Sequence, residues 1–292
     1  MTIVARTFED TIVYFNKTPP TIVCPHFWEV RWAFGCNYDC QWCYLLGTSF
    51  GKKHFRAYPI KQILKRAQKA FEMSTPTIFN SGELADATPS HPYLIELMDS
   101  FQTQKRHKLL LLTKSADVDQ LCKDGEQGRR SNTIYSCTVN ARAVSSRWEL
   151  GSPPPEMRLL ALKKVIQAGM EGRCRLDPVV PIVRWHTGYT DIIERIAETG
   201  VQRVTVGTLR GLTRTINFAR KCGKDMTWLD YLTERSGWGL KMKYERRKQV
   251  YGFVIDKLKE AGIKEIGICK ETPEMDTEFG LSEHSLKCNC VW

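Results

Sequence analysis

The sequence predicts an α/β fold, a partial (β/α)6 barrel of the TIM type with N- and C-terminal extensions. Strand-like and helix-like segments alternate along most of the chain, which implies a parallel sheet with helices outside it. About six to seven such units suit a barrel or partial barrel. The alternative is a doubly wound open sheet, but its Gly-rich phosphate fingerprint after the first strand is missing.

The elements in the first half of the chain follow from composition and spacing. Residues 26–34, rich in β-branched and aromatic side chains, form the first strand and run into a glycine. Residues 59–73 form a helix, because apolar residues recur at helical spacing after a proline in the first turn. Residues 77–79 are a short strand, and 92–101 a helix. The continuous apolar run 109–113 is typical of a strand that is covered on both faces.

The second half continues the alternation. The predicted strands are 133–139, 175–180, 201–206 and 266–269, and the predicted helices are 156–168, 191–198 and 244–261. The first and last of these helices stop at Gly169 and Gly262, as helices often do. We therefore predict an N-terminal arm over 1–20, a barrel over 21–225 and a C-terminal extension over 226–292 that packs on the barrel.

Composition places the protein in a broad class. The chain has 292 residues, 42% of them hydrophobic and 26% charged, which is typical of a soluble globular protein. No apolar run reaches the length of a membrane span, so no membrane partner is expected. Residues 1–10 carry both charge signs and lack a signal-peptide core, which favours a cytoplasmic location. Eleven cysteines in a reducing compartment indicate metal binding or catalysis rather than disulfides.

The positive charge points to a polyanionic partner. The net charge is +11, and the cations cluster at 52–56, 105–108 and 246–248. Such clusters favour DNA or another nucleic acid as a partner. A basic protein with no such partner is the alternative.

Three cysteines follow the first predicted strand within eight residues: Cys36, Cys40 and Cys43. Cysteine thiolates are the standard ligands of iron–sulfur centres, so this spacing predicts a [4Fe–4S] cluster with one iron left open. A structural zinc site would need a fourth ligand and usually more widely spaced pairs. Three buried cysteines without a metal are the remaining alternative.

The C-x3-C-x2-C motif after a first strand resembles the signature of the radical S-adenosylmethionine (AdoMet) superfamily. The chain is also similar to the spore photoproduct lyase family and the wider group of DNA-repair-photolyase-like proteins. The similarity is carried by four segments: CQWCYL at 40–45, LLLLTKS at 109–115, LDPVV at 176–180 and VGTLR at 206–210.

The resemblance implies a radical SAM type of barrel and a radical reaction. In that family the open iron chelates AdoMet, and an electron from the cluster breaks AdoMet to give a 5′-deoxyadenosyl radical. We therefore expect a radical SAM enzyme that abstracts a hydrogen atom from a nucleic-acid base. The implied electron donor is a flavodoxin or ferredoxin.

The resemblance also assigns roles to side chains near the predicted strand ends. Gly82 and Glu83 look like the family element that meets the AdoMet amino group, and Lys114 is similar to the cation that meets the carboxylate. Tyr44 matches a tyrosine linked to the substrate radical. Trp42 replaces another such tyrosine and is expected to cover the cluster or stack on a base.

Strand alternation adds further candidates. Ser136, Thr138 and Asn140 share one face of a strand, because residues two apart point the same way, and that polar face suggests contacts with ribose or methionine. Asp177 should face the ligand on the next strand, although a salt bridge to a neighbouring arginine is the alternative. Cys137 and Cys174 should point away from the ligand, towards the helices.

One part of the family pattern is missing. Spore photoproduct lyases carry a hydrogen-donating cysteine after the second strand, where this chain has Gly82 and Glu83. We therefore expect that this protein does not efficiently restore thymines from spore photoproduct. A product radical would then be quenched by Tyr44, by a tail cysteine such as Cys288 or Cys290, or by recombination.

Two questions stay open at this point. Four cysteines outside the triad suggest either a second metal site or scattered reduced thiols: Cys24, Cys269, Cys288 and Cys290. For function, the alternatives are radical SAM chemistry on a free nucleotide, metabolite or peptide, and a non-catalytic, zinc-stabilised nucleic-acid-binding protein. A protein with iron and sulfide supports the radical enzymes, and a colourless protein with one zinc supports the last.

Overall fold

A computed structural model describes residues 11–19, 21–236, 239–280 and 287–292. Residues 1–10, half of the predicted arm, lie outside the described residues. The strands are β1 (Ile12–Phe15), β2 (Phe27–Val30), β3 (Ala33–Phe34), β4 (Asp39–Cys40), β5 (Arg56–Ala57), β6 (Ile78–Asn80), β7 (Lys108–Thr113), β8 (Thr133–Val139), β9 (Glu149–Leu150), β10 (Glu171–Val179), β11 (Arg203–Thr208), β12 (Arg210–Gly211), β13 (Glu234–Ser236), β14 (Gly239–Lys241) and β15 (Glu265–Ile268).

The helices cover the outer side of the sheet. They are α1 (Leu45–Thr48), α2 (Ile60–Ala70), α3 (Pro92–Gln102), α4 (Asp119–Glu126), α5 (Arg142–Trp148), α6 (Pro155–Gln167), α7 (Trp185–Ala197), α8 (Thr213–Lys221), α9 (Tyr244–Glu260) and α10 (Pro273–Glu278), and a 3₁₀ helix spans Thr227–Tyr231.

The main sheet has eight strands in the order β1-β2-β6-β7-β8-β10-β11-β15. β1 pairs antiparallel with β2, and every later neighbour is parallel. Each new parallel strand joins on the same side, so the sheet winds in one direction, as in a barrel, without the reversal of a doubly wound sheet. The α/β prediction is confirmed. The described strands form an open sheet, with β1 and β15 at its edges.

The two faces of the parallel strands pack differently. Tyr135, Cys137 and Val139 of β8 lie in the large core between sheet and helices, whereas Ile134 belongs to a small separate cluster on the inner face. Every residue of β8 is buried, which fits a parallel strand covered on both sides. Burial of each such apolar side chain contributes roughly 1.5–3 kcal/mol.

Both ends of the chain contribute to this sheet. β1, from the predicted arm, pairs with β2, and β15, from the predicted C-terminal extension, pairs with β11. Beyond β15 the tail returns to the sheet, where the guanidinium of Arg173 donates to the carbonyl of Asn289 at 2.9 Å. The tail therefore lies against the sheet itself rather than only on the helices.

Some boundaries differ from the sequence expectation. The predicted strand 26–34 is divided into β2 and β3, because Ala33 leaves the main sheet to pair with Ala57 of β5. α7 begins at Trp185, six residues before the predicted start at 191. Within the described residues, no helix combines the length and apolar character that crossing a membrane requires.

Candidate active site

A cavity of about 730 Å³ opens at the C-terminal ends of the parallel strands. Its wall includes residues at or just after the ends of five neighbouring strands: Glu83, Lys114, Thr138, Asp177 and Thr208. Parallel barrels bind their ligands at this end. All three cysteines of the predicted cluster motif also line this cavity.

The loop that carries the three cysteines is fixed by backbone contacts. Gly35 adopts φ +92°, and a Cβ there would lie 2.3 Å from the carbonyl oxygen of His54, so only glycine fits. The amide of Cys36 donates to the carbonyl of Lys53 at 3.0 Å, and that of Cys43 donates to the carbonyl of Cys40 at 3.2 Å. These contacts hold the loop against the 51–55 segment with its thiols facing the cavity.

The donor set of this loop suits an iron–sulfur cluster. Burial raises the pKa of Cys36 to about 11, with Asp86 adding to the effect, and burial raises the pKa of Cys40 to about 12. Binding of a metal reverses such shifts, because a coordinated thiol is deprotonated. Within the described residues, no three His, Cys, Asp or Glu side chains are gathered closely enough for a single metal ion. Thiolates that bind different irons of one cluster do not need to converge on one point.

Two aromatic residues flank Cys43 in the cavity wall. Trp42 is buried and packs its ring 5.4 Å from the ring of Trp148. Tyr44 is 41% exposed, and its carbonyl accepts a hydrogen bond from the hydroxyl of Thr215 in α8. The backbone of Tyr44 is thereby fixed while its side chain remains open to the cavity.

Gly82 and Glu83 follow β6 and face the cavity. A Cβ on Gly82 would lie 2.4 Å from the carbonyl oxygen of Leu112, so the close packing of this turn requires glycine. The amide of Gly82 donates to the side chain of Asn80 at 2.9 Å, and the Asn80 amide group donates to Glu83 Oε1 at 2.9 Å. Asn80 thus orients the turn and its carboxylate.

Lys114 lies at the end of β7, between two buried carboxylates. Its ammonium is 3.8 Å from Glu149 Oε1, a loose contact, because the other oxygen of Glu149 binds Arg158 at 2.7 Å. Burial alone would lower the pKa of Lys114, but Glu149 and Cys40 raise it above its usual value. Asp86 accepts a hydrogen bond from the Lys114 amide at 2.8 Å, and burial raises the pKa of this carboxyl.

Asp177 faces the cavity and forms salt bridges. It is 2.7 Å from Arg175 and 3.1 Å from Arg210, both of which also line the cavity. Burial alone would raise the pKa of Asp177, but the two guanidinium groups hold it well below its usual range. The salt bridge that the sequence left as an alternative is therefore present, and it is shared between two arginines.

Ser136 and Asn140 lie outside the cavity wall. The hydroxyl of Ser136 points to the inner face of the sheet, where it accepts a hydrogen bond from the tail residue Asn289 at 2.8 Å. Asn140 donates to the carbonyl of Pro178 at 2.7 Å and accepts from the hydroxyl of Tyr189 at 2.7 Å. Protein partners already occupy the polar groups of Ser136 and Asn140. Their contacts with a cofactor therefore stay a prediction.

Cys137 and Cys174 belong to the core between sheet and helices, as strand alternation predicted. Both are fully buried, and the thiol of Cys137 donates to the carbonyl of Arg158 at 3.4 Å. This orientation is confirmed.

Three charged residues that contact predicted site residues in the cavity were not assigned to the site from the sequence. Asp86 lies three residues after Glu83, in a loop whose course no periodicity reveals. Arg175 is two residues from Asp177 and so shares its face of the strand, a signal that was available. Arg210 comes to Asp177 across β10 and β11, a contact that only the sheet register defines.

Known proteins share sequence similarity with this chain. The family model described as spore photoproduct lyase matches residues 24–253. Spore photoproduct lyase of Bacillus subtilis (strain 168) is 27% identical over 176 residues, which are 58% of this chain and 50% of that protein. The match therefore spans about half the length of this relative.

Solved structures show the same fold. Spore photoproduct lyase complexed with dinucleoside spore photoproduct superposes with a TM-score of 0.72 at 20% identity, covering 91% of this chain and 80% of that one. A mutant of that enzyme with bound AdoMet and dinucleoside spore photoproduct gives 0.71 at 20% identity, with coverages of 91% and 80%. Streptococcus suis SuiB bound to S-adenosylmethionine gives 0.54 at 13% identity, with coverages of 85% and 50%.

Proposed function

Because this chain belongs to the spore photoproduct lyase family, we propose that it is a radical SAM enzyme that abstracts a hydrogen atom from a nucleic-acid base. One observation carries the proposal: the three cysteines share a single cavity with the cation, carboxylates and aromatic side chains that AdoMet and a base require.

Cys36, Cys40 and Cys43 would hold a [4Fe–4S] cluster at the loop side of the cavity. Such a cluster supplies the electron that cleaves AdoMet into methionine and a 5′-deoxyadenosyl radical. Three local thiolates would leave one iron free. Here the fit rests on the donor chemistry and on the fixed loop backbone.

Two groups at the strand ends would bind the methionine part of AdoMet. Lys114 offers an ammonium that its loose contact with Glu149 leaves available for a carboxylate. Asp86 and the Gly82–Glu83 turn offer carboxylate and carbonyl oxygens for the amino group. Because the buried carboxyl of Asp86 has a raised pKa, a bound cation stabilises its charged form.

The proposed substrate is DNA or another nucleic acid. Besides Lys114, the cavity wall carries the cations Lys17, Arg31, Arg175, Arg210 and Lys270. The basic cluster at 52–56 borders the cysteine loop, where Lys53 contacts the carbonyl of Tyr38. Cations contact phosphates without reading sequence, and Tyr44 offers an exposed ring at the cavity for stacking on a base. We also propose a flavodoxin or ferredoxin as electron donor, a cytoplasmic location and domains at 1–20, 21–225 and 226–292.

The test is anaerobic reconstitution with iron and sulfide, followed by AdoMet, dithionite and DNA. We expect 5′-deoxyadenosine by mass spectrometry and transfer of deuterium from labelled DNA into it. A reconstituted brown protein that makes no 5′-deoxyadenosine contradicts the proposal. Formation of 5′-deoxyadenosine without deuterium transfer would indicate that the substrate is a free nucleotide, metabolite or peptide instead.

Spore photoproduct itself is a second, sharper substrate test. Because Gly82 and Glu83 occupy the segment where the family carries its donor cysteine, we expect inefficient repair of the dinucleotide spore photoproduct. Clean multiple-turnover release of thymidylyl-thymidine would show that a donor elsewhere in this chain is sufficient.

A further inference from the structure

The C-terminal tail brings two cysteines together on the inner face of the sheet. Cys288 to Val291 form a turn, in which the amide of Val291 donates to the carbonyl of Cys288 at 3.3 Å. The side chain of Asn289 is fully bonded: its amide group donates to Ser136 at 2.8 Å, and its oxygen accepts from Thr205 at 2.8 Å. The turn is therefore fixed, and it places the thiols of Cys288 and Cys290 in hydrogen-bond contact.

A guanidinium group lies against the sulfurs of this region. Arg175 is 3.8 Å from the Sγ of Cys290 and 3.2 Å from the Sγ of Cys269. The same guanidinium is held from the other side by Asp177 at 2.7 Å. A metal ion shared by Cys269 and Cys290 would have to bind where this guanidinium lies. The positive charge of this guanidinium disfavours a metal cation among the same sulfurs.

The two tail thiols differ in protonation. Hydrogen bonding from Cys288 lowers the pKa of Cys290, and the charges of Arg175 and Lys270 act in the same direction. Burial and Glu83 oppose them, and the net pKa is about 7. The pKa of Cys288 is raised well above its usual value, so Cys288 keeps its proton. Cys290 also retains partial exposure, whereas Cys288 is 5% exposed. A thiolate beside a protonated partner is the arrangement that thiol–disulfide exchange needs.

We propose that Cys288 and Cys290 form a redox-active dithiol that exchanges with a small disulfide such as oxidised glutathione. The thiolate of Cys290 attacks one sulfur of the disulfide, forms a mixed disulfide and releases one glutathione thiolate. Cys288 then gives its proton to that thiolate and attacks the Sγ of Cys290, which releases the second glutathione. Two protein thiols become one disulfide, and one glutathione disulfide becomes two thiols. This reaction goes beyond the proposed radical function and does not depend on it.

The proposed site communicates with the cavity through Arg175. In the dithiol form this guanidinium is shared between the sulfurs and Asp177, and it lines the cavity. In the disulfide form Cys290 carries no negative charge, so Arg175 keeps Asp177 and the Sγ of Cys269 as partners. The charge on this part of the cavity wall therefore depends on the redox state of the tail.

The sequence offers a clean assay for the pair. Trypsin cleaves after Lys287 and releases a peptide, residues 288–292, that contains both cysteines and no others. The full-length protein is equilibrated anaerobically with mixtures of reduced and oxidised glutathione, trapped with iodoacetamide and digested. We expect this peptide to lose two hydrogens and to escape alkylation as the oxidised fraction rises.

The pair Cys137 and Cys174 is the matched internal control. These two residues face each other in the parallel register of β8 and β10, are fully buried and should remain reduced and unpaired. In the Cys288→Ser variant, Cys290 should carry a mixed disulfide with glutathione instead of an internal bond. At pH 7 Cys290 of the wild type should react with iodoacetamide roughly tenfold faster than an ordinary thiol, because its lowered pKa increases the fraction of thiolate.

Two results would overturn the proposal. One is a tail peptide that keeps two free thiols at glutathione ratios that oxidise a thioredoxin-type reference dithiol. The other is a bond from Cys290 to Cys269 instead of Cys288. Both are measured on the wild-type chain, so misfolding of the variant does not affect them. Neither depends on AdoMet cleavage, so failure of the radical function would be seen separately.

Discussion

The molecule holds two cysteine sites close to one cavity, and they differ in their neighbours. The loop triad, Cys36, Cys40 and Cys43, lies in the cavity wall beside buried carboxylates. The tail pair, Cys288 and Cys290, lies on the inner face of the sheet beside a guanidinium. Burial raises the pKa of Cys36, and Asp86 adds to that, whereas Arg175 helps to lower the pKa of Cys290.

The difference shows that the environment, rather than the residue type, determines what a cysteine can do. In the triad, burial raises the pKa of Cys36 and Cys40, so these two thiols would need a bound metal to deprotonate them at neutral pH. In the tail, hydrogen bonding from Cys288 and the nearby guanidinium of Arg175 lower the pKa of Cys290 without a metal. We therefore expect the two sites to respond differently to the same substitutions.

The largest effect should separate the sites completely. Replacing Cys36, Cys40 or Cys43 by Ala should abolish the iron–sulfur absorbance near about 400 nm and all AdoMet cleavage, because three thiolates are the minimum anchor. Replacing Cys290 by Ala should leave the absorbance in place. Iron content and absorption spectra after anaerobic reconstitution check both. Full iron content in a protein that lacks all three loop cysteines would show that these cysteines do not hold the cluster.

The next effect concerns the ion pair that links the tail to the cavity. Asp177→Asn should lower the free energy of unfolding by about 3 kcal/mol, because it leaves Arg175 and Arg210 buried without their carboxylate. Urea unfolding measures the change. Asp191→Asn, which breaks an exposed pair with Arg195 on α7, is the control and should cost about 0.3–0.5 kcal/mol. Equal losses in the two variants would contradict the role of the buried pair.

The carboxylate of Asp177 should also make the free energy of unfolding depend on pH, in a direction that its pKa determines. The pKa of Asp177 is lower in the folded protein than in the unfolded chain, so its contribution is complete above the unfolded value of about 3.9. It is lost as pH falls through that value towards the folded pKa. The stability difference between wild type and Asp177→Asn should therefore shrink below about pH 4. A difference that grows on acidification would reverse the assignment.

A smaller effect is expected on the triad side of the cavity. Lys114→Met should weaken AdoMet binding by roughly ten- to a hundredfold, because a hydrogen bond between charged groups contributes about 1.5–3 kcal/mol. Equilibrium dialysis against the reconstituted protein measures it. The iron–sulfur absorbance should not change, because no thiol is altered. Lys164→Met, which breaks an exposed pair with Asp119, is the control. Unchanged AdoMet affinity in the Lys114→Met variant would show that Lys114 does not bind the AdoMet carboxylate.

The smallest effect belongs to the tail turn. Asn289→Ala should cost about 1–2 kcal/mol in unfolding free energy, because Ser136 and Thr205 lose buried partners. It should also speed alkylation of both tail cysteines, since the turn is no longer held. Gln249→Ala, which removes an exposed contact with Arg246, is the control. Unchanged stability and alkylation would show that the tail is held by other contacts.

The local features of this protein could be read from its sequence. The cysteine triad spans eight residues, so its spacing already defines a cluster loop. The alternation of strands and helices gave the parallel sheet, because each element has its own periodicity. The two-residue period of β8 also gave the correct direction for Cys137 and for Ser136.

The contacts that these side chains make depend on tertiary packing. Ser136 faces inward as alternation requires, but it meets Asn289, a partner 153 positions away along the chain. Arg175 meets Cys290 across 115 positions. No periodicity reports such contacts, because they arise where the tail and the sheet are brought together by the packing of the whole chain. The cluster motif and the fold class therefore follow from the sequence, whereas the packing of the whole chain places Cys269 and Cys290 beside a buried cation.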